Sequence, residues 1–91
     1  MMTKALVSVT GSDATGIIAA VATKLSELNI NILDISQTIL GGYFTMLMVV
    51  DITGANKDFT GVTEDLQVVA DRLGMLIHMQ RMDIFDAMHR I

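Results

Sequence analysis

The sequence predicts an α+β fold in which a four-stranded antiparallel sheet carries two helices on one face. Apolar residues alternate with a period of two in two segments and more weakly in a third, and a fourth segment is apolar on both faces. In two other segments they recur every three or four positions. The order of the segments is strand, helix, strand, strand, helix, strand. The two middle strands form a hairpin, and each helix connects one of them to an outer strand. The 91 residues leave room for one domain, and 52% of them are apolar, which is enough to fill a core.

The first strand and the first helix follow from this periodicity. The segment KALVSVT, residues 4–10, alternates in the way a half-buried strand does. After a turn, Ser12 or Asp13 is expected to cap a helix over about 15–28. Asn29 is expected to end that helix in the left-handed conformation. The buried stripe of the helix is predicted to consist of Ile17, Val21, Leu25 and Leu28.

A hairpin is predicted in the middle of the chain. The segment NINILDISQTIL resumes the period of two, and Gly41 and Gly42 are typical of a two-residue hairpin turn. The partner strand, YFTMLMVVDI, is apolar on both faces. We therefore expect it to lie centrally in the sheet and to be covered on both sides.

The second half of the chain repeats the strand–helix–strand pattern. Asp58 or Thr60 is expected to cap a second amphipathic helix, which Gly74 ends. A last strand with weaker alternation follows at 75–82. The order is that of a ferredoxin-like βαββαβ sandwich. We assign residues 1–82 to the domain and 83–91 to a short C-terminal helix, packed on the domain or at the seam between two subunits.

Composition excludes several classes of function. The chain has no cysteine, so it has no disulfide framework and no thiolate metal site. Its net charge is −4 and its basic residues are scattered, which argues against a nucleic-acid partner. No apolar run is long enough for a membrane span or a signal peptide, so we expect a cytoplasmic protein without a membrane partner.

The loop GSDATG, residues 11–16, has two interpretations. In the first, it is a tight turn in which Gly11 adopts a backbone angle that other residues avoid and Gly16 allows close packing. In the second, the bare backbone and the helix N-terminus bind a carboxylate while Asp13 pairs with an ammonium group, as a zwitterion would require. It matches neither a P-loop nor a dinucleotide-binding motif.

The other candidate groups give weaker signals. His78 and His89 have no partners at metal-ligand spacing, so no metal site and no cofactor are expected. No nucleophile motif or paired carboxylate indicates a catalytic residue, and we expect that the chain is not an enzyme. Gln37 lies in register with apolar residues, so either a bulge turns it outward or it makes a polar contact at a ligand or a seam.

The segment VTGSDATGIIAAVATKLSELNINILDISQTI resembles an ACT domain, the small ligand-sensing module of amino-acid metabolism. With GYFTMLMVVD, it is most similar to small single-domain ACT proteins related to the glycine-cleavage repressor and to the N-terminal domain of formyltetrahydrofolate deformylase. The resemblance covers residues 4–82.

The resemblance implies a dimer with an eight-stranded sheet and an amino acid bound at its seam. The implied ligand contacts come from the first loop of one chain and the second strand of the other: Gly11, Ser12, Asp13, Ala14, Thr15, Gly16 and Asn31. Many ACT loops carry proline where this chain has Thr15, and some serine-binding relatives carry histidine at the place of Gly11.

Two hypotheses follow from the sequence. The first is a regulatory module that binds an amino acid or a related small metabolite at a subunit interface. The second is a protein–protein interaction or oligomerisation module without a ligand, acting on a metabolic enzyme or regulator. RNA-recognition domains share the topology, but this acidic chain has only four aromatic residues.

Overall fold

The computed structural model describes residues 2–12 and 16–82, and its element order is the predicted one. The four strands form one antiparallel sheet in the order β2-β3-β1-β4, with both helices on one face, which confirms the ferredoxin-like prediction. The C-terminal helix predicted at 83–91 lies outside the described residues. The elements are β1 Lys4–Gly11, α1 Ile17–Glu27, β2 Asn31–Leu40, β3 Tyr43–Asp51, α2 Phe59–Leu73 and β4 Leu76–Arg81.

The core lies between the sheet and the helices. Alternate residues of the central strands β1 and β3 face α1 and α2, and each helix places its predicted apolar stripe against them. Each fully buried aliphatic side chain contributes roughly 1.5–3 kcal/mol to the free energy of unfolding. The largest fully buried side chains are Val7, Val9, Val21, Leu25, Met46, Met48, Val50, Val62, Leu66 and Val69.

The ends of the helices follow local chemistry. Asn29 has a φ of 60°, as predicted, and its side-chain amide donates to the carbonyl of Gly54 at 2.8 Å. The carboxylate of Asp58 caps α2 by accepting from the N–H of Gly61 at 2.8 Å. Gly74, with a φ of 68°, ends the same helix. These three predictions are confirmed.

The two faces of β3 differ in burial. Met46 and Met48 lie under the helices and are almost fully buried, whereas Leu47 on the opposite face is 42% exposed. The prediction of a central strand is correct, and its helix face is covered as predicted. Cover of the other face by residues 83–91 or by a second subunit lies outside the described residues and stays a prediction. Both helices pack on the same face, and nothing in the described parts of the chain covers the other one.

Strand β2 is an edge strand that extends beyond the helices. The turn that joins it to β3 has the predicted form, with φ values of 60° at Gly41 and 83° at Gly42. All ten residues of β2 are exposed, including Ile35 and Ile39 on the face that the helices cover elsewhere. An edge of this kind presents unpaired backbone groups to another strand.

A β-bulge near the start of β2 changes which residues share a face. The register shifts by one residue between Ile32 and Asp34, so Leu33 is the extra residue. The sequence pattern predicts Leu33 on the same face as Ile35. Because a shift of one residue exchanges the faces, Ile32 lies there instead.

Candidate functional site

The two glycines of the loop after β1 have different structural roles. Gly16 has a φ of 76°, in the left-handed region, and the space beside it is open. Gly11 does not have such a φ, but a Cβ placed on it would overlap the Sδ and Cε atoms of Met75. The sequence-based assignment of a special backbone angle to Gly11 and of close packing to Gly16 is therefore wrong. The two roles are exchanged.

Among the described residues, no side chain caps the start of helix α1. Gly16 occupies the N-cap position in place of Ser12, and the helix begins at Ile17, two residues later than predicted. The predicted cap by Asp13 lies outside the described residues. The first turn also contains no acidic residue. The N–H groups at this helix end thus keep a partial positive charge that favours an anion. Of the predicted ligand loop, residues 13–15 lie outside the described residues.

Asn31 lies in a polar row that crosses one end of the sheet. The strand register places Asn31 opposite Asp51, and Asp51 opposite Lys4. The hydroxyl and the backbone N–H of Thr53 donate to the carboxylate and lower the pKa of Asp51, and the charge of Lys4 lowers it further. At neutral pH this row therefore contains a carboxylate, an ammonium group and an amide.

A cavity of about 220 Å³ adjoins Asn31. It lies between the C-terminal half of α1 and the start of β2, where the small side chains of Ala22 and Ser26 leave space. The predicted ligand residue Asn31 is thus part of a concave surface that opens at the β2 edge. Its lining consists of Ala22, Ser26, Asn29, Ile30, Asn31 and Ile32.

Within one chain, the two parts of the predicted site are far apart. Gly11 lies in the row that reaches Ile39 on β2, whereas Asn31 lies in the row that begins at Lys4. The two rows are seven residues apart along β1, which corresponds to about 23 Å. A single amino acid does not span this distance. The structure therefore does not bring the predicted residues into one site inside a chain.

Gln37 is exposed on the β2 edge. It pairs with Met46, and the bulge lies elsewhere in the strand, so the hypothesis that a bulge turns Gln37 outward is wrong. Its exposure follows from the position of β2 beyond the helices. The contact of Gln37 with a ligand or a seam stays a prediction.

The histidines add no chemistry to this site. His78 is exposed on β4, and its backbone carbonyl accepts from the hydroxyl of Ser8 at 3.4 Å. His89 lies outside the described residues. Among the residues at 2–12 and 16–82, no three potential ligands cluster in a way that could hold a metal ion. Over the same ranges, no helix combines the length and the apolar character that a membrane crossing requires.

Sequence reasoning missed Asp51 and Met75. Counting back from the hairpin turn pairs Asn31 with Ile52, and only the bulge moves its partner to Asp51. Met75 and Gly11 are in contact although 64 positions of sequence separate them, so no local sequence pattern predicts this contact. Neither residue had a signal that periodicity could have revealed.

Comparison with known proteins agrees with this architecture. A family model for the ACT domain matches residues 3–80. The chain belongs to the ACT domain family. A UPF0237 protein of Bifidobacterium longum is 51% identical over 90 residues, which are 99% of this chain and all of that protein. ACT domains are regulatory and often bind ligands.

Solved structures confirm the predicted relatives of this ACT domain. An ACT domain protein from Streptococcus pneumoniae superposes with a TM-score of 0.84 and 40% identity, over 93% of this chain and 96% of that one. A formyltetrahydrofolate deformylase from Pseudomonas syringae gives 0.77 and 25% identity, over 89% of this chain and 28% of that one. A putative glycine cleavage system transcriptional repressor shares the fold at 0.75 and 23% identity, over 89% of this chain and 46% of that one.

Proposed function

We propose that this ACT domain is a regulatory module, not an enzyme, that binds an amino acid or a related small metabolite between two copies of itself. One observation carries the proposal. The glycine loop and Asn31 carry complementary polar groups, yet they lie about 23 Å apart along the sheet of one chain. Each chain therefore offers two halves of a site that only a second chain can complete.

The β2 edge provides the contact between the two chains. No strand within residues 2–12 and 16–82 pairs with its outer side, and Ile32, Ile35 and Ile39 are exposed along it. An apolar edge strand is a template for pairing with an identical strand about a two-fold axis. Antiparallel pairing of this kind joins two four-stranded sheets into one of eight strands, as the family resemblance implies.

Two-fold pairing also brings the half-sites together. Pairing centred on β2 turns the Asn31 end of one chain toward the Leu40 end of the other. Gly11 then lies three strand spacings, about 14 Å, from Asn31 across the seam. This interval is wide enough for a small ligand between the end of β1 in one chain and the start of β2 in the other.

The charges of the two halves suit a zwitterion. The N-terminus of α1 favours the carboxylate of an amino acid. On the other half, Asn31 adjoins the cavity beside α1, and its amide oxygen can accept from the ammonium group. Asp13, predicted to take the same role, is the alternative partner for the ammonium group.

Sedimentation equilibrium and calorimetric titration against the twenty amino acids test the proposal. Ile35→Lys places a charge at the centre of the β2 edge and should abolish both dimer and binding. Val68→Lys is the matched control, because Val68 is also exposed, at 63%, but lies on α2. Asn31→Ala should keep the dimer and lose the ligand. A monomeric Ile35→Lys variant that still binds an amino acid at Asn31 would refute a seam site.

The second candidate function is an interaction module without a ligand. The uncovered sheet face supports it, because Leu47 is 42% exposed there beside the half-buried Leu6 and Val49. This hypothesis predicts a dimer whose melting temperature no amino acid raises, and a protein partner that is lost when residues 83–91 are deleted. A cytoplasmic location stays a prediction.

A further inference from the structure

A second cavity lies inside a single chain, away from the β2 edge. It measures about 300 Å³, at the small end of the range for ligand sites. It is found where β1 begins, β4 ends and the loop after β3 enters α2. The lining consists of Thr3, Ile52, Thr53, Ala55, Lys57, Asp58, Phe59, Val62 and Arg81.

One part of this cavity is apolar and continuous with the core. Val62 is 1% exposed, and the partly buried side chains of Ile52, Ala55 and Phe59 pack against the core cluster. An aromatic ring beside aliphatic side chains offers a surface that a small apolar group can cover. This surface distinguishes the cavity from the groove between the two helices, which is lined by small and charged residues.

The rest of the lining carries charges of both signs. Lys57 and Arg81 provide two cations, whereas Asp58 provides one carboxylate. Lys57 donates to the two carboxylate oxygens of Asp65 at 2.9 and 3.1 Å, and its ammonium group has three donors. The guanidinium of Arg81 has five N–H donors. The carboxylate of Asp58 accepts from Gly61 through Oδ1 and retains further acceptor capacity. The lining can therefore bind a ligand that carries both an anionic and a cationic group.

The wall of the cavity is held by backbone hydrogen bonds. The N–H of Thr3 donates to the hydroxyl of Thr53 at 2.8 Å, and the N–H of Ile52 donates to the carbonyl of Thr3 at 2.9 Å. The N–H of Ala55 donates to the carbonyl of Ile52 at 3.1 Å. A wall fixed in this way loses little conformational freedom when a ligand enters.

We propose that this cavity is a second ligand site, which takes a free α-amino acid with a short apolar side chain within one chain. Arg81 and Lys57 bind its carboxylate, Asp58 binds its ammonium group, and Phe59 and Val62 contact its side chain. This site needs no second chain, so it is independent of the seam proposed above.

The test uses nuclear magnetic resonance titration of the full chain with L-leucine, because amide shifts locate weak binding. Shifts should appear at residues 52–62 and 81. Arg81→Gln, or Lys57→Gln as a second variant, should weaken binding about tenfold or more, as loss of a charged hydrogen bond does. Asp58→Asn keeps a capping oxygen and should weaken it similarly. Lys24→Gln, on the helix groove, is the control and should change nothing.

Two comparisons make the proposal refutable. The 2-oxo acid with the same carbon skeleton, 4-methyl-2-oxopentanoate, lacks the ammonium group and should bind at least tenfold more weakly. Equal binding of the two compounds would overturn the assignment of Asp58, and unperturbed amides at 52–62 would overturn the site. The Ile35→Lys variant should retain this binding, so failure of the seam proposal and failure of this one give different results.

Discussion

Alanine substitution of Gly11 and Gly16 should destabilise the domain by two different mechanisms. At Gly16 the backbone is left-handed, with a φ of 76°, and an added Cβ meets nothing. At Gly11 the backbone is ordinary, but the Cβ overlaps the thioether of Met75. One substitution is opposed by the conformation of the chain and the other by a neighbouring side chain.

The magnitudes follow from these two environments. A residue other than glycine in the left-handed conformation costs about 1–2 kcal/mol. Alanine also has less conformational entropy than glycine in the unfolded chain, which offsets about 0.4–1 kcal/mol of this cost. Gly16→Ala should therefore lower the free energy of unfolding by about 1 kcal/mol. Overpacking costs about 1–3 kcal/mol, with the lower end expected because the end of Met75 is flexible. After the same offset, Gly11→Ala should cost about 0.5–2 kcal/mol.

A double-mutant cycle in urea separates the two mechanisms. Met75→Ala alone should cost about 2–5 kcal/mol, because Met75 is 7% exposed. In that background Gly11→Ala should become neutral or stabilising, because its methyl group enters vacated space. The coupling between the two positions should therefore be about 0.5–3 kcal/mol. Gly16→Ala should cost the same in both backgrounds. Equal penalties for Gly11→Ala with and without Met75 would refute the packing account.

Three further expectations concern the ends of the secondary structure elements. Thr53 lowers the pKa of Asp51 in the folded chain, so the ionised Asp51 carboxylate stabilises the fold. This contribution to the free energy of unfolding is complete above the pKa of Asp51 in the unfolded chain and is lost as pH falls through its pKa in the folded chain. In acid titration, the free energy of unfolding of Asp51→Asn should therefore fall less steeply below about pH 4 than that of the parent chain. Asp58→Ala should cost about 1 kcal/mol in urea unfolding, and Asp58→Asn clearly less. Lys24→Met should change the free energy of unfolding by less than about 0.5 kcal/mol, because its ion-pair partner Glu27 is 60% exposed and water screens the pair.

Each of these expectations has a contradicting result. An acid-unfolding profile of Asp51→Asn that overlays the parent profile would show that Thr53 does not favour the charged form in the folded chain. Equal losses for the two Asp58 variants would mean that the side-chain oxygen does not cap α2. A large loss for Lys24→Met in thermal unfolding would show that its aliphatic stem, rather than its charge, stabilises α1.

Much of the fold could be predicted because its signals are local. The stripe of Val21 and Leu25 marks one face of a helix whatever surrounds it, and Asp58 and Gly74 mark the ends of α2 through their own hydrogen bonding and backbone preference. The two glycines at 41 and 42 fix the hairpin through their positive φ values. Their order along the chain then restricts the topology.

The remaining features depend on contacts that are distant in sequence. The bulge at Leu33 has no glycine or proline to indicate it, yet it changes the partner of Asn31. Gly11 and Gly16 are equivalent in a sequence motif, and only the position of Met75 shows which one is constrained by packing. The period of two in β2 indicates a strand with one apolar face, but it does not show that this strand is an exposed edge.

Gly11 and Asn31 lie at opposite ends of the sheet, and under the proposal of a site at the seam this placement makes the ligand response depend on the amount of protein. If each site is completed by two chains, ligand binding and dimer formation share one equilibrium, so the ligand strengthens association and association strengthens ligand binding. Below the dimer dissociation constant, occupancy would then rise with the concentration of the chain as well as with that of the ligand. Such a module would respond to a metabolite only once enough of the module has been made.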